Sequence, residues 1–300
     1  MQIAIIGLGK TGTDMARRLR RCACEIIAFD KNSQITRRLA AEEGIIAVND
    51  LKELVRKLLP PRVVWSMVPG GECTEDLFKE LTKVLDADDI IIDGSNTHYV
   101  DSQRYGSELA GHGIEYIDVG MSGSVQGLNQ GYCLMVGGNK KTVQMISPAL
   151  RILAPAADRG WAHVGTHGAG HFTKMIQDTI ENGMMQVIAE GFALLHNKED
   201  FEFDLGQLAE LWCNGSTISS QLLDEAAKLL KNCQDLQNIV PFVCDPSDDR
   251  WATFQSLDQK KMAPILSMAL QQRFNSQDNE NYVNKLLAMM HNRANNRSIG

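Results

Sequence analysis

A stripe of side chains that could move protons follows a glycine-rich segment in the second half of the chain. The segment Gly168–Lys174 runs into residues with no proline and with helical apolar spacing. Side chains three, four and seven positions apart share one face of a helix. Lysine can accept a proton and glutamic acid can donate one. The stripe is a catalytic centre if it faces a cofactor, and an ordinary set of solvent-exposed polar side chains if it faces water. Its predicted members are Lys174, Gln177, Asp178 and Glu181.

The overall composition excludes several classes of protein. The chain has 300 residues, of which 44% are hydrophobic and 22% charged, and its net charge is −7. This length permits two domains, and the scattered charges argue against a basic nucleic-acid groove. No apolar run approaches the length of a membrane span, and Met1–Ile6 lacks the basic region of a signal peptide. We expect a cytoplasmic globular protein that binds neither nucleic acid nor membrane.

No metal site is expected from the cysteine and histidine pattern. The seven cysteines occur at irregular spacings, which favours reduced thiols used as small apolar residues. His163, His167 and His171 recur every four residues, but glycines interrupt them. A single helix therefore could not present all three as ligands.

The first half of the sequence alternates short apolar runs with segments of helical periodicity. This alternation is typical of a parallel sheet covered by helices on both faces. The predicted strands are Gln2–Ile6, Glu25–Phe29, Val63–Met67, Ile90–Asp93, Tyr116–Asp118 and Tyr132–Val136. The predicted helices between them are Thr13–Arg21, Ser33–Glu43, Leu51–Leu59, Thr74–Leu85 and Tyr99–His112.

Beyond Gly165 the strand signals stop and helical periodicity dominates. We therefore predict an α/β N-terminal domain, residues 1–163, followed by an all-α C-terminal domain, residues 164–300. The polar tail Asn292–Gly300 is either disordered or reaches a neighbouring subunit. The predicted helices of this half are Lys174–His196, Leu205–Asn214, Ser220–Lys231, Trp251–Asp258, Met262–Asn275 and Asn281–Asn292.

A glycine pattern directly follows the first predicted strand. Gly7, Gly9 and Gly12 fit the fingerprint of Rossmann-type dinucleotide-binding domains, in which a helix N-terminus receives a pyrophosphate. The second strand leads into Asp30, whose carboxylate suits a ribose diol and would repel a 2′-phosphate. NAD is therefore the preferred cofactor, although the adjacent Lys31 could tolerate NADP. The predicted cofactor-binding residues are Gly7, Leu8, Gly9, Lys10, Thr11, Gly12, Asp30, Lys31, Met67 and Val68.

Three further loops follow predicted strands and should lie at the same edge of the sheet, where ligands gather. Met67–Gly71 either passes beside the cofactor or is a plain turn. Asp93–Tyr99 and Asp118–Ser124 offer backbone N–H groups and short polar side chains that suit hydroxyl or carboxylate recognition. Such loops alone are more often turns than sites.

Six motifs together are far more specific than the glycine fingerprint. They are Val64–Pro69, Ile90–Asn96, Asp118–Gly123, Gly131–Gly138, Gly168–Met175 and Gly183–Gln186. Through them the chain resembles, over nearly its whole length, the short form of the 6-phosphogluconate dehydrogenases, within the β-hydroxyacid dehydrogenase superfamily. The resemblance implies NAD(P)-dependent oxidative decarboxylation of 6-phosphogluconate to ribulose 5-phosphate, carbon dioxide and NAD(P)H.

The resemblance also implies a role for each matched residue. Lys174 stands at the position of the family's general base, which takes the proton from the hydroxyl group being oxidised. Glu181 stands at the position of the general acid, which protonates the enediol after carbon dioxide leaves. Arg250 and Arg273 stand at or near phosphate-binding positions. Asn96 stands where the family has an asparagine near both substrate and nicotinamide, so it is implied to bind the cofactor as well. The implied substrate-binding residues are Asn96, Ser122, Gly123, Ser124, Gln177, Asp178, Arg250 and Arg273.

The stripe itself departs from the family pattern. Where the family has histidine, asparagine and tyrosine, this chain has Gln177, Asp178 and Asn182, and Ser95 and Ser124 replace glycines. An opposite charge stabilises the protonated form of a lysine, so Asp178 would hinder the predicted base and repel an anionic substrate. We expect impaired activity on 6-phosphogluconate unless Asp178 is protonated or turned away.

Three functions stay open on the sequence alone. The leading one is the oxidative decarboxylation, and the second is dehydrogenation of another β-hydroxy acid in an altered pocket. The third is a catalytically silent nucleotide-binding protein, against which the retention of Lys174 and Glu181 argues. The resemblance further implies a small phosphorylated sugar acid as substrate and a homodimer or homotetramer.

Overall fold

The computed structural model describes residues 1–123, 127–232, 236, 247–276 and 281–294. The chain divides into two compact units, Met1–Lys174 and Met175–Gly300. Within the described ranges, no helix is both long enough and apolar enough to cross a membrane.

The first unit alternates strands and helices along the chain. In order, the elements are β1 (Gln2–Ile6), α1 (Lys10–Arg21), β2 (Glu25–Phe29), α2 (Ser33–Glu43), β3 (Ile46–Ala47), α3 (Leu51–Lys57), β4 (Val63–Ser66), α4 (Glu72–Leu81), β5 (Ile90–Asp93), α5 (Tyr99–Ala110), β6 (Glu115–Ser122), α6 (Gly127–Gln130), β7 (Cys133–Gly138), α7 (Lys140–Leu153) and β8 (Trp161–Gly165).

In the described part of the chain, these strands form one eight-stranded sheet in the order β3-β2-β1-β4-β5-β6-β7-β8. Neighbouring strands are parallel except β6 and β7, which pair in antiparallel fashion from Ile117–Gly138 to Ser122–Cys133. This pairing corrects the purely parallel sheet that the alternation predicts. Residues 123–132 alone connect the two strands, fewer than the roughly twelve that a parallel crossover requires.

Alternate residues of the strands point to two hydrophobic cores, one on each face of the sheet. On β1, Ile3 and Ile5 belong to one core, and Ala4 and Ile6 to the other. Residues of α1 and α7 join the first core, and residues of α3, α4 and α5 join the second. The predicted α/β architecture of the first half is therefore confirmed.

The sequence patterns do not predict four elements in the described part of the first unit, namely β3, α6, α7 and β8. Pro148 lies inside α7, and an internal proline argues against a helix in any sequence pattern. β8 has no apolar alternation because it is an edge strand whose central residues, Ala162–Val164, are exposed. The predicted boundary at residue 163 lies within β8, whereas the two compact units meet after Lys174.

The second unit contains only helices among the residues that the structure describes. Its core joins Met185 and Phe192 to Leu229, Leu286 and Leu287. The predicted helical character of this half is confirmed, and residues 295–300 of the predicted tail lie outside the described ranges. The helices are α8 (Ala169–His196), which begins in the first unit, α9 (Leu205–Cys213), α10 (Gln221–Asn232), α11 (Ser247–Asp258), α12 (Pro264–Ser276) and α13 (Tyr282–Ala294).

Candidate active site

The glycine loop between β1 and α1 leaves an open surface at a helix N-terminus. Gly7 has a φ of +91°, and a Cβ atom there would lie 2.8 Å from the Met67 carbonyl group. A Cβ atom on Gly12 would overlap the Gly7 carbonyl oxygen, so α1 packs directly on the turn. A Cβ atom on Gly9 would meet nothing within 4 Å. That space lies beside the N–H groups of the first helical turn and fits a dinucleotide pyrophosphate.

Asp30 follows β2 and binds this loop. One of its carboxylate oxygens accepts the Leu8 N–H at 2.6 Å, and the other accepts the Asn32 N–H at 2.7 Å. A carboxylate can accept about four hydrogen bonds, so both oxygens retain capacity for ribose hydroxyl groups. Lys31 beside it is exposed. Asp30 therefore also holds the glycine loop in place, in addition to its predicted role in binding ribose.

The loop after β4 packs on the loop after β5. The Met67 N–H donates to the Ile6 carbonyl oxygen at 2.7 Å, which extends the pairing of β1 with β4. A Cβ atom on Gly70 would lie 2.8 Å from the Asn96 carbonyl oxygen. The predicted residues Met67, Val68 and Asn96 therefore lie together at the carboxyl-terminal edge of the sheet.

A buried carboxylate fixes the loop that carries Asn96. Asp93 Oδ1 accepts the N–H of Ser95 at 3.0 Å and its hydroxyl group at 2.6 Å, and the Tyr116 hydroxyl donates to Asp93 Oδ2 at 3.0 Å. Burial raises the pKa of Tyr116 well above its ordinary value, and nearby carboxylates add to the effect, so the phenol remains a donor. Ser95 and Thr97 are buried while Asn96 between them is exposed. The network therefore presents Asn96 to solvent.

The loop after β6 begins with two predicted substrate-binding residues. Ser122 is half-buried and Gly123 is exposed, while Ser124 lies outside the described residues. A Cβ atom on Gly123 would lie 2.9 Å from the Tyr132 ring. Burial, assisted by the charge of Asp14, raises the pKa of Tyr132 to about 12. A neutral, fixed ring therefore backs this loop at physiological pH.

Lys174 lies in the second turn of α8 and is half-buried. A Cβ atom on Gly120 of β6 would overlap the Cβ atom of Lys174, so the lysine stem packs directly on the strand. The same strand ends two residues later at Ser122. The fold therefore brings the predicted base to the strand that carries a predicted substrate-binding residue.

The remaining residues of the predicted stripe belong to the second unit. Gln177 Nε2 donates to Glu181 Oε2 at 2.9 Å, and both side chains are half-buried, as is Asp178. Gln186 and Glu190 make the same kind of bond nine residues later, at 2.7 Å. A Gln–Glu bond therefore recurs along α8 and is not by itself a sign of catalysis.

The two predicted phosphate-binding arginines lie in opposite surroundings. Arg250 is exposed, and its guanidinium carbon lies 5.2 Å from the centroid of the Phe274 ring. Arg273 is only 1% exposed. Stacking on a ring orients a guanidinium and leaves it accessible, whereas a buried one must be satisfied within the structure. The two positions are therefore not equivalent.

Two of the three histidines noted in the sequence make contacts with different partners. His163 Nε2 lies 2.9 Å from the Gly138 carbonyl oxygen, and His171 Nδ1 lies 2.7 Å from Ser102 Oγ. Among the residues that the structure describes, no group of three or more histidine, cysteine, aspartate or glutamate side chains could hold a metal ion.

Comparison with known proteins accounts for both halves of the chain. The family model for the NAD binding domain of 6-phosphogluconate dehydrogenase matches residues 2–165. The model for the 6-phosphogluconate dehydrogenase C-terminal domain matches residues 170–298. The chain belongs to the 6-phosphogluconate dehydrogenase family. It is therefore an oxidoreductase of this family with an NAD(P)-binding domain, and the resemblance found in the sequence is confirmed.

Family members of similar length come from a bacterium and an archaeon. A Bacillus subtilis (strain 168) protein named as a candidate 6-phosphogluconate dehydrogenase is 32% identical over 97% of this chain and 97% of its own length. An NAD(+)-dependent, decarboxylating 6-phosphogluconate dehydrogenase of Haloferax volcanii is 31% identical over 95% of this chain and 94% of its own.

A solved family member shares the fold. Plasmodium falciparum 6-phosphogluconate dehydrogenase, studied with NADP+ and with 6-phosphogluconate, matches with a TM-score of 0.84 at 24% sequence identity. The match covers 92% of this chain and 62% of that one. This chain therefore corresponds to less than two thirds of the Plasmodium protein.

One departure from the family pattern has a direct structural explanation. Ser95 stands where the family has glycine, and its hydroxyl group donates to Asp93 while lying 2.5 Å from Thr97 Oγ1. The added hydroxyl group thus has hydrogen-bond partners within the buried network, and Asn96 stays exposed. This substitution does not disturb the loop.

Sequence reasoning missed the residues that hold these loops in place. Asp93 and Asp118 each end or interrupt a buried strand within a recognised motif, but the motifs assign them no role. Both side chains are fully buried, and buried carboxylates must accept hydrogen bonds. A carboxylate at the end of an otherwise apolar strand was the available signal, whereas its partners could not be read from the sequence.

Proposed function

We propose that this chain catalyses the NAD(P)-dependent oxidative decarboxylation of 6-phosphogluconate to ribulose 5-phosphate. The observation that carries the proposal is the packing of the Lys174 stem on Gly120, two residues before Ser122 on the same strand. A candidate proton acceptor thereby lies near the loop that is implied to bind the substrate carboxylate and hydroxyl group.

Lys174 in its neutral form takes the proton of the substrate hydroxyl group in the first step. Bound NAD(P) would supply the acceptor for the hydride that leaves the carbon bearing this hydroxyl group. Ser122 and the Gly123 N–H hold the carboxylate and hydroxyl group, and Asn96 orients the substrate from the neighbouring loop. A placed base of this kind contributes about 10²–10⁴-fold in rate.

Glu181 supplies the proton in the second half of the reaction. The β-keto acid loses carbon dioxide as the electrons of the breaking C–C bond move into the carbonyl group, whose oxygen takes back the proton held by Lys174. The resulting enediol must then be protonated on carbon. Glu181 follows Lys174 by seven residues in the sequence of α8, the spacing that puts two side chains on one face of a helix. The bond from Gln177 orients its carboxylate.

NAD is the proposed preferred cofactor. Asp30 stands at the end of β2 with lone pairs available to ribose hydroxyl groups, and its charge opposes a 2′-phosphate. The exposed Lys31 reduces that opposition. Titration of the protein with NAD and NADP, followed by fluorescence, tests the preference, and tighter binding of NADP would overturn it.

A second candidate function is dehydrogenation of another β-hydroxy acid. Asp178 on the stripe favours it, because a carboxylate there opposes an anionic phosphorylated substrate. Gln177 and Asn182 also stand where the family has other residues. These substitutions concern the substrate and leave the cofactor loop unaffected.

A panel of β-hydroxy acids, phosphorylated and not, assayed with NAD and NADP, separates the candidates. Reduced-nicotinamide absorbance reports hydride transfer, and trapped carbon dioxide reports decarboxylation. Turnover of 6-phosphogluconate with equal amounts of both products supports the first proposal. Faster turnover of an unphosphorylated acid favours the second. Cofactor binding without turnover of any acid would leave the silent nucleotide-binding protein.

The protein is proposed to form a homo-oligomer through an apolar stripe on α8. Four large side chains at helical spacing are exposed, between 43% and 76%: Ile180, Met184, Val187 and Leu194. A contiguous exposed apolar surface marks an interaction site, and the same helix on a second copy presents a matching surface. Val187→Asp should convert the oligomer to monomer in light scattering. An unchanged mass would exclude this face.

A cytoplasmic location is proposed as well. The cysteines within the described ranges are free thiols, as is usual in a reducing compartment. Fractionation of cells that express the protein tests this location.

A further inference from the structure

The first turn of α8 is capped by a residue far away in sequence. Gly168 precedes the helix with a φ of +87° and has no side chain to cap it. Instead, Asp118 Oδ1 accepts the Gly168 N–H at 2.8 Å, and Asp118 Oδ2 accepts the His171 N–H at 2.9 Å. The first N–H groups of a helix lack partners within it and usually bond the side chain just before it. Here the acceptor lies 50 residues earlier, on β6.

The Asp118 carboxylate is well suited to this task. Its side chain is fully buried, and a buried charge is tolerated only when its hydrogen bonds are satisfied. The positive end of the helix dipole favours a negative charge at this position. The carboxylate and the helix N-terminus therefore stabilise each other.

Glycines bring the backbone of α8 into direct contact with the sheet. A Cβ atom on Gly170 would lie 2.7 Å from the Asp118 carbonyl oxygen. A Cβ atom on Gly137 of β7 would overlap Asp118 Oδ1, and one on Gly120 of β6 would overlap the Cβ atom of Lys174. The glycines leave no room for a further side chain at these points, where the Asp118 carboxylate and the Lys174 stem pack directly on the backbone, so a small shift of the first turn moves the lysine stem.

A second anchor holds the same turn from α5. The hydroxyl group of Ser102 lies 2.7 Å from His171 Nδ1, and both side chains are buried. The rings of Tyr99 and Phe172 meet edge to face with centroids 5.0 Å apart. The turn that precedes Lys174 is therefore fixed from the strands and from a helix.

We propose that Asp118 is a positioning residue for Lys174, which it holds against β6 by capping the first turn of α8. The inference rests on the proposed function, in which Lys174 is the base. Asp118→Asn keeps the shape of the side chain but leaves one acceptor oxygen and turns an amide donor toward a backbone N–H. The base is then less well placed, while the glycine loop that binds the cofactor is untouched.

A double-mutant cycle tests whether Asp118 acts through the lysine. With an acid that the panel shows to be turned over, Asp118→Asn should lower kcat by about tenfold or more, since small misplacements of a reacting group cost up to about 10²-fold. The Kd for cofactor should stay unchanged. In a Lys174→Ala background the same change should have no further effect on kcat. An equal loss in both backgrounds would overturn the proposal.

Asp89→Asn is the matched control. Asp89 is also a buried carboxylate that accepts backbone N–H groups, from Arg62 at 2.7 Å and from Asp86 at 3.0 Å. It lies just before β5, at the amino-terminal ends of the parallel strands, whereas the predicted site lies at their carboxyl-terminal ends. Its substitution should lower the melting temperature and leave kcat per folded molecule unchanged. A loss of kcat equal to that of Asp118→Asn would show a general effect of destabilisation and overturn the proposal.

Amide hydrogen exchange provides a readout that does not depend on the proposed function. Asp118→Asn should speed exchange at Gly168 and His171 relative to amides of α7, even if no acid is turned over or Lys174→Ala keeps full activity. Unchanged exchange would refute the cap itself. If Asp118→Asn does not fold, Ser102→Ala removes the second anchor, and its smaller loss of kcat should also vanish in the Lys174→Ala background. A loss that persists there would count against the proposal.

Discussion

The predicted site residues of the first unit and those of α8 beyond Lys174 differ in the hydrogen bonds that hold them. In the first unit, buried or partly buried carboxylates tie separate segments together, with Asp30 on the glycine loop, Asp93 on the Asn96 loop and Asp118 on the start of α8. Beyond Lys174, the bond from Gln177 to Glu181 runs along a single helix. The first group is thus tied across long sequence distances, whereas this bond of the second group is local.

This difference coincides with where the chain departs from the family pattern. The long-range ties surround residues that match the family, and the substitution Ser95 among them is accommodated by hydrogen bonds to its neighbours. The substitutions Gln177, Asp178 and Asn182 fall within two turns of α8, whose backbone hydrogen bonds do not depend on the identity of these side chains. We therefore expect the tied loops to be constrained and α8 beyond Lys174 to be the variable region.

The residue at the border of the two regions should give the largest effect. Lys174→Ala removes the proposed base and should lower kcat by about 10²–10⁴-fold, with cofactor affinity retained because the glycine loop is untouched. Lys174→Arg should be similarly inactive, since a guanidinium does not lose its proton. Lys141→Ala, which removes an exposed lysine from α7, is the control. Unchanged turnover in Lys174→Ala would remove the lysine from the mechanism.

The two Gln–Glu pairs of α8 give the next largest contrast. Glu181→Gln keeps an acceptor for Gln177 but removes the proton donor, so product formation should fall by about 10²-fold. Glu190→Gln makes the same change in the pair formed with Gln186 and should leave turnover as it is. Steady-state rates and trapped carbon dioxide measure both. Equal losses would show that the pairs serve the stability of the helix.

For the first region, the sequence predicts most strands and helices well but does not predict the side-chain contacts between them. β1, β2 and β5 are predicted to the residue because each is an apolar run with a polar residue at one end. The sequence patterns do not predict the direction of β7 or the presence of β8, because the direction of strand pairing and the position of an edge strand leave little local signal. The ties made by Asp118 span 50 and 53 residues, so a reading based on local periodicity cannot find them. That Lys174 and Glu181 share one helix face, by contrast, is predicted from helical spacing alone, whereas their roles are implied by the family resemblance.

The glycine loop offers a test confined to the first region. Gly9 has a φ of −57° and an empty space at its Cβ position, so Gly9→Ala should keep the melting temperature. The new methyl group would occupy the space proposed for the pyrophosphate and should weaken cofactor binding by about tenfold, or roughly 1.4 kcal/mol. Gly12→Ala would overlap the Gly7 carbonyl oxygen and should lower both stability and affinity. Full affinity in Gly9→Ala would place the cofactor elsewhere.

The smallest expected effect is a gain and belongs to the variable region. Asp178→Asn restores the amide found in the family and removes a carboxylate one helical turn from Lys174. Without that charge the anionic substrate is repelled less, and kcat/KM for 6-phosphogluconate should rise by up to about tenfold, or roughly 1.4 kcal/mol. Glu190→Gln, with the same loss of charge further along α8, should show no gain.

The substrate dependence of that gain identifies its cause. The Asp178 carboxylate would repel an anionic phosphorylated acid, and salt screens such repulsion. The gain of Asp178→Asn should therefore appear mainly as a lower KM for 6-phosphogluconate, shrink at high ionic strength, and be smaller with an unphosphorylated β-hydroxy acid. If Asp178→Asn is slower than wild type with 6-phosphogluconate, the carboxylate is part of the substrate site, and another β-hydroxy acid becomes the better candidate.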